Sequence, residues 1–218
     1  MTTPVGWLTE LGAGLRGLAV DAGVLGYRPV ARQGPGGWDA GYAAGEWDRM
    51  ATVEESARYA VLGEYLHRAC PSPSILDVGC GPGLLRERIQ GAPFDRYVGV
   101  DVSAEAIRRA QHLADERTAF LVGNPAAAPG GPFDVVVCNE VLYYLDDIAA
   151  FLAALGPVMA PGGHLLTSNW RHPGDRRLHT MLDARFALVD RVEVANTTSR
   201  RLRWRVAWHR ERPRPRGA

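Results

Sequence analysis

The sequence predicts an α/β domain built on a mostly parallel sheet, and three observations carry that prediction. Short β-branched, apolar runs alternate with helix-period segments from Ser74 onward. Runs such as Val135-Val136-Val137 are apolar on both faces, as strands covered by helices on two sides must be. The last two strand-like segments are joined only by Ala195 to Arg201, too few residues for a helical crossover, so they pair antiparallel. A length of 218 residues with 46% hydrophobic and 22% charged residues fits one globular domain and excludes a wholly disordered chain.

Thr9 to Val20 reads as a short helix weakened by Gly12, Gly14 and Gly17, inside an N-terminal extension (1–37) expected to be partly flexible. Gln33 to Gly37 reads as a linker. Trp38 to Trp47 places three aromatics among small residues. Glu54 to Arg68 is helical, with Tyr59, Leu62 and Leu66 on one face, and Cys70-Pro71-Ser72-Pro73 ends it. Ser74 to Val78 is a buried strand, followed by a glycine-rich turn and a helix at Leu84 to Gln90. Tyr97 to Val102 is the second strand, and Ser103 caps a helix running to His112. Ala119 to Gly123 and Phe133 to Asn139 are the third and fourth strands. Ile148 to Val158 is a helix ended by Pro161-Gly162-Gly163, and His164 to Asn169 is the fifth strand. Asp175 to Arg185 is a helix, and Leu188 to Val194 and Leu202 to Trp208 complete the strands.

The formal net charge is +1, so there is no overall basic surplus of the kind that phosphate binding needs. All 25 basic residues are Arg, which removes lysine chemistry such as Schiff bases. Cys70, Cys80 and Cys138 fit no metal pattern and predict free thiols in a reducing, cytoplasmic setting. The first ten residues show no secretory signal. The apolar runs fall far short of the ~20 residues a spanning helix needs, so no membrane role is expected.

Asp77-Val78-Gly79-Cys80-Gly81-Pro82-Gly83 lies between a strand and a helix. Its glycines let backbone approach a ligand, and the helix behind it offers free N–H groups. The Gly-x-Gly-x-Gly spacing differs from the Gly-x-Gly-x-x-Gly of dinucleotide folds. Asp101 ends the next strand, where a carboxylate can accept both hydroxyls of a ribose.

LDVGCGPG followed by VGVDVS resembles the class I S-adenosylmethionine-dependent methyltransferases, over roughly residues 40–211. The resemblance implies a single Rossmann-like domain with a seven-stranded sheet, its last strand antiparallel, and S-adenosylmethionine as cofactor. It assigns residues 38–211 to that domain, with an N-terminal helical cap at 38–70 and a flexible basic tail at 212–218. It implies cofactor contacts from Asp77, Gly79, Cys80, Gly81 and Gly83, a ribose contact from Asp101 and adenine packing by Val102. The family's usual acid after the third strand is here Asn124, which can accept a hydrogen bond but carries no charge. N-terminal helices of this fold often close over the cofactor. Arg58 is thus a candidate for the methionine carboxylate, and Tyr42 and Trp47 for the substrate pocket, with plain aromatic packing as the alternative.

Ligands of open α/β sheets sit at the carboxyl ends of strands, which places Asn139 and Glu140 beside the reacting centre. EVLYYL, PGGHLL and RHPGDRRLH are similar to nodulation-factor N-methyltransferases and suggest a small substrate bearing an amine or hydroxyl. Metal-dependent relatives carry Glu-x-x-Glu-His at this point. Here Tyr143 and Tyr144 replace two ligands, so no catalytic metal is expected.

Methyl transfer is an in-line displacement that depends chiefly on positioning. A hydroxyl acceptor also needs a base, and Glu140, Tyr143, Tyr144, His172 and His179 are the candidates. One of the adjacent tyrosines belongs to the core, because neighbours on a helix point ~100° apart. Arg171 and His172 are candidate substrate contacts, with a solvated surface as the alternative.

Eight Arg lie between Arg200 and Arg216, on an alternating strand and a basic tail; a nucleic-acid partner is not the expected reading. The expectation is a monomeric or homodimeric small-molecule methyltransferase of bacterial secondary-metabolite biosynthesis. The alternatives are a cofactor-binding enzyme that catalyses a non-methylating cyclisation or rearrangement, or an RNA or protein methyltransferase.

Overall fold

The computed structural model describes residues 34–89, 91–171, 174–197 and 202–212. The helix expected at Thr9 to Val20, the candidate His172 and the basic tail from 213 onward lie outside the described residues.

The strands are β1 (Ser74–Val78), β2 (Arg96–Asp101), β3 (Thr118–Val122), β4 (Phe133–Asn139), β5 (Met159–Trp170), β6 (Phe186–Ala195) and β7 (Arg203–Glu211). They form one sheet in the order β3-β2-β1-β4-β5-β7-β6. Pairing is parallel from β3 through β5, and β7 lies antiparallel between β5 and β6. The fold class is therefore the expected one: a Rossmann-like sheet in which only the last strand is reversed.

Helices cover both faces because successive strand residues point to opposite sides. Ile75, Val135, Val137, Leu166 and Trp204 pack beneath α2 (Ser56–Ala69), α3 (Leu84–Arg88) and α4 (Ala104–Ala110). Leu76, Val136 and Leu165 pack beneath α5 (Ile148–Leu155) and α6 (Asp175–Arg185). Ser103 caps α4 as expected, accepting the Ala106 N–H at 3.1 Å, and Asp147 caps α5 through the Ala150 N–H at 2.8 Å.

Two local expectations are corrected. Pro35 begins a helix, α1 (Pro35–Ala43), in place of a linker, since proline suits the first helical turn. Pro161-Gly162-Gly163 does not end a helix. It lies within β5, where the register with β4 slips: Met159 pairs with Phe133 and His164 with Val135. Gly162, at φ 73°, absorbs that irregularity. Among the described residues no helix is long and apolar enough to cross a membrane.

Candidate active site

β1 runs directly into the glycine loop. The Gly79 and Cys80 N–H groups donate to the Val100 carbonyl at 2.8 and 3.1 Å, tying the loop to β2. Gly79 and Gly81 have φ of 67° and 55°, a region that costs side chains strain. A Cβ at Gly79 would lie 2.4 Å from Val141, and one at Gly81 2.9 Å from the Tyr42 hydroxyl. The glycines therefore let two later elements close onto the loop. Gly83, at φ 83°, starts α3 from outside the cavity wall.

Asp101 sits at the carboxyl end of β2. Its Oδ2 accepts the Gly81 N–H at 2.8 Å and its Oδ1 the Ser103 N–H at 2.9 Å. Burial raises its pKa against the pull of these hydrogen bonds. The next helix is held to the N-terminal cap by Asp39, whose Oδ1 accepts both the Ser103 hydroxyl (2.6 Å) and the Glu105 N–H (3.0 Å). Arg109 of α4 adds bonds to the Tyr42 carbonyl (2.5 Å) and to Asp48 (3.1 Å).

Glu140 follows β4 with φ 62°, the one non-glycine residue in the left-handed region among the described residues. Such strain in a side-chain-bearing residue is characteristic of functional positions. Its Oε1 accepts the Ser168 hydroxyl at 3.0 Å and its Oε2 the Tyr143 hydroxyl at 2.8 Å. Burial raises the Glu140 pKa, and the Arg58 charge opposes that rise. Arg58 is fully buried. It donates to Glu55 at 2.9 Å, to the Tyr59 hydroxyl at 3.2 Å and to the Asn139 side-chain oxygen.

These elements enclose a cavity of about 400 Å³ at the carboxyl ends of β1, β2 and β4, a size usual for small-molecule sites. Of the residues picked from sequence, Tyr42, Trp47, Asp77, Gly79, Cys80, Gly81, Asp101, Val102, Asn124, Asn139, Glu140 and Tyr144 line it. Trp38, Trp47 and Tyr144 form an aromatic wall, with ring centroids 5.1 to 6.3 Å apart. The wall carries five carboxylates, from Asp77, Asp101, Glu140, Asp146 and Asp147, and no basic side chain among the described residues.

Several expected site residues lie elsewhere. Arg58 sits behind Asn139, consumed by its ion pair, and does not line the cavity. Tyr143 lies outside the wall and holds Glu140 from behind. Arg171 points to the sheet edge, where it pairs with Glu193 at 2.8 Å. His179 is buried on α6, 3.1 Å from Asp175, whose second oxygen meets Arg205 at 2.9 Å. Likeness to a fold or to a local segment does not show which face of its element a side chain takes. Sequence reading missed Asp146, Asp147, Met50 and Phe151 as wall residues, and it noted Trp38 and Tyr59 without assigning them to the site. No motif marks them; they arrive through the turn after β4, through α5 and through the cap.

The residues present suit S-adenosylmethionine. The buried Asp77 Oδ1 has no hydrogen-bond partner among the described residues, and a wall of carboxylates and rings favours a cationic ligand bearing donors.

The sequence matches the methyltransferase domain family over residues 53–212. It is 34% identical over 116 residues to a ubiquinone biosynthesis O-methyltransferase of Albidiferax ferrireducens, a match covering 48% of this chain and 45% of that protein. The chain spans about half the length of the curated relatives it matches. The fold is similar to that of the N-methyltransferase NodS of Bradyrhizobium japonicum, solved with S-adenosylhomocysteine. That likeness has a TM-score of 0.65 at 24% identity and covers 76% of this chain and 91% of NodS. A second likeness is to the 1,6-didemethyltoxoflavin-N1-methyltransferase of Burkholderia thailandensis, with a TM-score of 0.63 at 20% identity, covering 85% and 92%. The glycine loop, the acid ending β2, the sheet order and the match across most of the sequence agree: the chain belongs to the methyltransferase domain family, whose cofactor is S-adenosylmethionine.

Proposed function

We propose that the protein transfers a methyl group from S-adenosylmethionine to the nitrogen of a small amine in bacterial biosynthesis. The observation that carries this reading is the composition of the cavity wall, aromatic and acidic with no basic side chain among the described residues. The cofactor supplies the electrophilic methyl group. Asp101, braced by two backbone N–H groups, accepts the ribose hydroxyls, with Val102 beside the adenine and Asn124 at its rim. Gly79, Cys80 and Gly81 pass the loop beneath the cofactor. Asn139, fixed by Arg58, and Glu140 flank the reacting centre.

An amine is favoured over a hydroxyl because of what the site can and cannot do with a proton. A hydroxyl needs a nearby base at the moment of attack. Both Glu140 oxygens are already held by Tyr143 and Ser168. An amine that enters neutral needs no base, and aromatic faces and carboxylates stabilise the ammonium product. Tyr144, Trp38 and Trp47 position the acceptor, and Tyr143 acts through Glu140.

The test is a screen of primary and secondary amines against matched alcohols and phenols, following S-adenosylhomocysteine formation and methylated product together. Turnover with amines supports the reading. Turnover confined to hydroxyls overturns the choice of nitrogen, and substrate conversion without S-adenosylhomocysteine overturns methyl transfer itself.

A further inference from the structure

A buried cation stands one layer behind the cavity wall. Arg58 lies in the first turn of α2 and is fully buried. It donates to the Asn139 side-chain oxygen and, at 3.2 Å, to the Tyr59 hydroxyl, and its guanidinium lies 4.1 Å over the Tyr59 ring. Asn139 and Tyr59 both line the cavity, and Arg58 does not. The place is adverse for a positive charge. Burial removes its water, and the first turn of a helix is the positive end of the helix dipole.

Glu55 balances that charge. It immediately precedes α2, is 3% exposed, and is absent from the cavity wall. Its Oε2 accepts from Arg58 Nε at 2.9 Å and its Oε1 from Arg49 at 3.0 Å. Arg49 is half exposed, so water screens it. Glu140 also acts on Arg58, but its oxygens are taken by Ser168 and Tyr143. Arg88, 4.5 Å over the same Tyr59 ring, donates to Ser56 and to the Ala51 carbonyl and brings no anion. Among the described residues Glu55 is the one carboxylate bonded to Arg58.

The charge behind Asn139 matters because the ligand changes charge in a turnover. S-adenosylmethionine is positive at sulfur. S-adenosylhomocysteine has the same nucleoside and amino-acid ends and a neutral sulfur. An unbalanced guanidinium would repel the first and spare the second. At an effective dielectric of ~20, a unit charge ~10 Å away is worth about tenfold in affinity.

We propose that Glu55, through its ion pair with Arg58, sets the preference of the site for the positively charged methyl donor over its neutral product. Arg58 can then hold Asn139 in one orientation without repelling the sulfonium. The inference rests on the reading that places Asn139 and Glu140 beside the sulfur. No bond forms or breaks in this step; the effect is electrostatic.

The experiment is calorimetric titration of wild type and variants with each of the two ligands, read as the ratio of their affinities. Glu55→Gln should weaken S-adenosylmethionine about tenfold more than S-adenosylhomocysteine. Glu55→Asp, which keeps the charge, should hold the wild-type ratio. Arg58→Met should move the ratio several-fold the other way, toward S-adenosylmethionine. Combining Glu55→Gln with Arg58→Met removes both charges and should return the ratio close to wild type. A merely structural ion pair would weaken both ligands equally, and so would an Arg58 that reached their shared carboxylate.

Equal losses for the two ligands in a folded Glu55→Gln, or a shifted ratio that persists in the double variant, overturn the proposal. Breaking one side of a buried pair is strongly destabilising. If Glu55→Gln does not fold, Arg58→Met decides, and an unmoved ratio there overturns the proposal. Wild type that binds neither ligand overturns the cofactor assignment itself, so the two failures are distinguishable.

Discussion

Asp101 and Glu140 have opposite relations to their surroundings, and their substitutions should separate accordingly. Asp101 is braced by the backbone at Gly81 and Ser103, so its carboxylate is held in one orientation for the ribose contact proposed above. Asp101→Ala should weaken S-adenosylhomocysteine binding more than about tenfold, at least ~1.4 kcal/mol, in a calorimetric titration. Glu140 is held at φ 62° by Ser168 and Tyr143, beyond the ribose end of the site. Glu140→Gln should leave that affinity within about twofold and lower turnover about tenfold or more, read as S-adenosylhomocysteine formed under saturating cofactor. Unchanged turnover would remove Glu140 from the reacting centre.

At the scale of elements, the cap matters as much as the strands. Asp39 of α1 accepts from both the Ser103 hydroxyl and the Glu105 N–H, so one carboxylate joins the cap to the start of α4. Asp39→Ala should cost about 1 kcal/mol, the usual loss for a helix cap. It should show as a several-fold faster release of S-adenosylhomocysteine in stopped flow. The strands and the glycine loop were legible in sequence because they are periodic or because glycine is obligatory there. Asp101 was legible because it ends a strand. The cap's tether was not, since Asp39 and Ser103 are distant in sequence and Asp39 lies in no motif. His179 and Arg171 failed for a related reason: a local match fixes the segment, but ion pairs with Asp175 and Glu193 decide where the side chains point. Asp146 and Asp147 reach the cavity only because the chain turns sharply after Glu140, which no residue pattern announces.

For the whole molecule, the buried acids predict an unusual stability profile. Asp77 is held at about 7 in the folded chain, chiefly by burial, against an ordinary value of 3.8. The folded state then binds more protons than the unfolded one between those values, so stability falls as pH rises from about 4 to 7. Asp101 and Glu140 are raised too and act in the same direction. His164 and His209, lowered chiefly by burial, act the other way up to about 6.5, so the Asp77 contribution is read as the difference in thermal midpoint between wild type and Asp77→Asn. Asp77→Asn should recover on the order of a few kcal/mol at pH 8 and nothing near pH 4. A difference that does not grow across this range would contradict the assignment. The paired surface acids, such as Glu193 beside Arg205 and Arg171, are lowered and lose their contribution only as pH falls below the ordinary carboxylate range.

The position of β7 has a consequence for how the chain is made. β6 pairs with β7 and not with β5, so the penultimate strand has no place in the sheet until residues 203–211 have left the ribosome. Until then β5 presents an open edge, and the buried seat of Trp204 against the core beneath α2 is empty. The cofactor loop and Asp101 belong to strands synthesised much earlier. A nascent chain thus completes the half that carries the glycine loop well before the half that closes the sheet. The open edge of β5 is therefore exposed to mispairing from its own synthesis until residues 203–211 are in place.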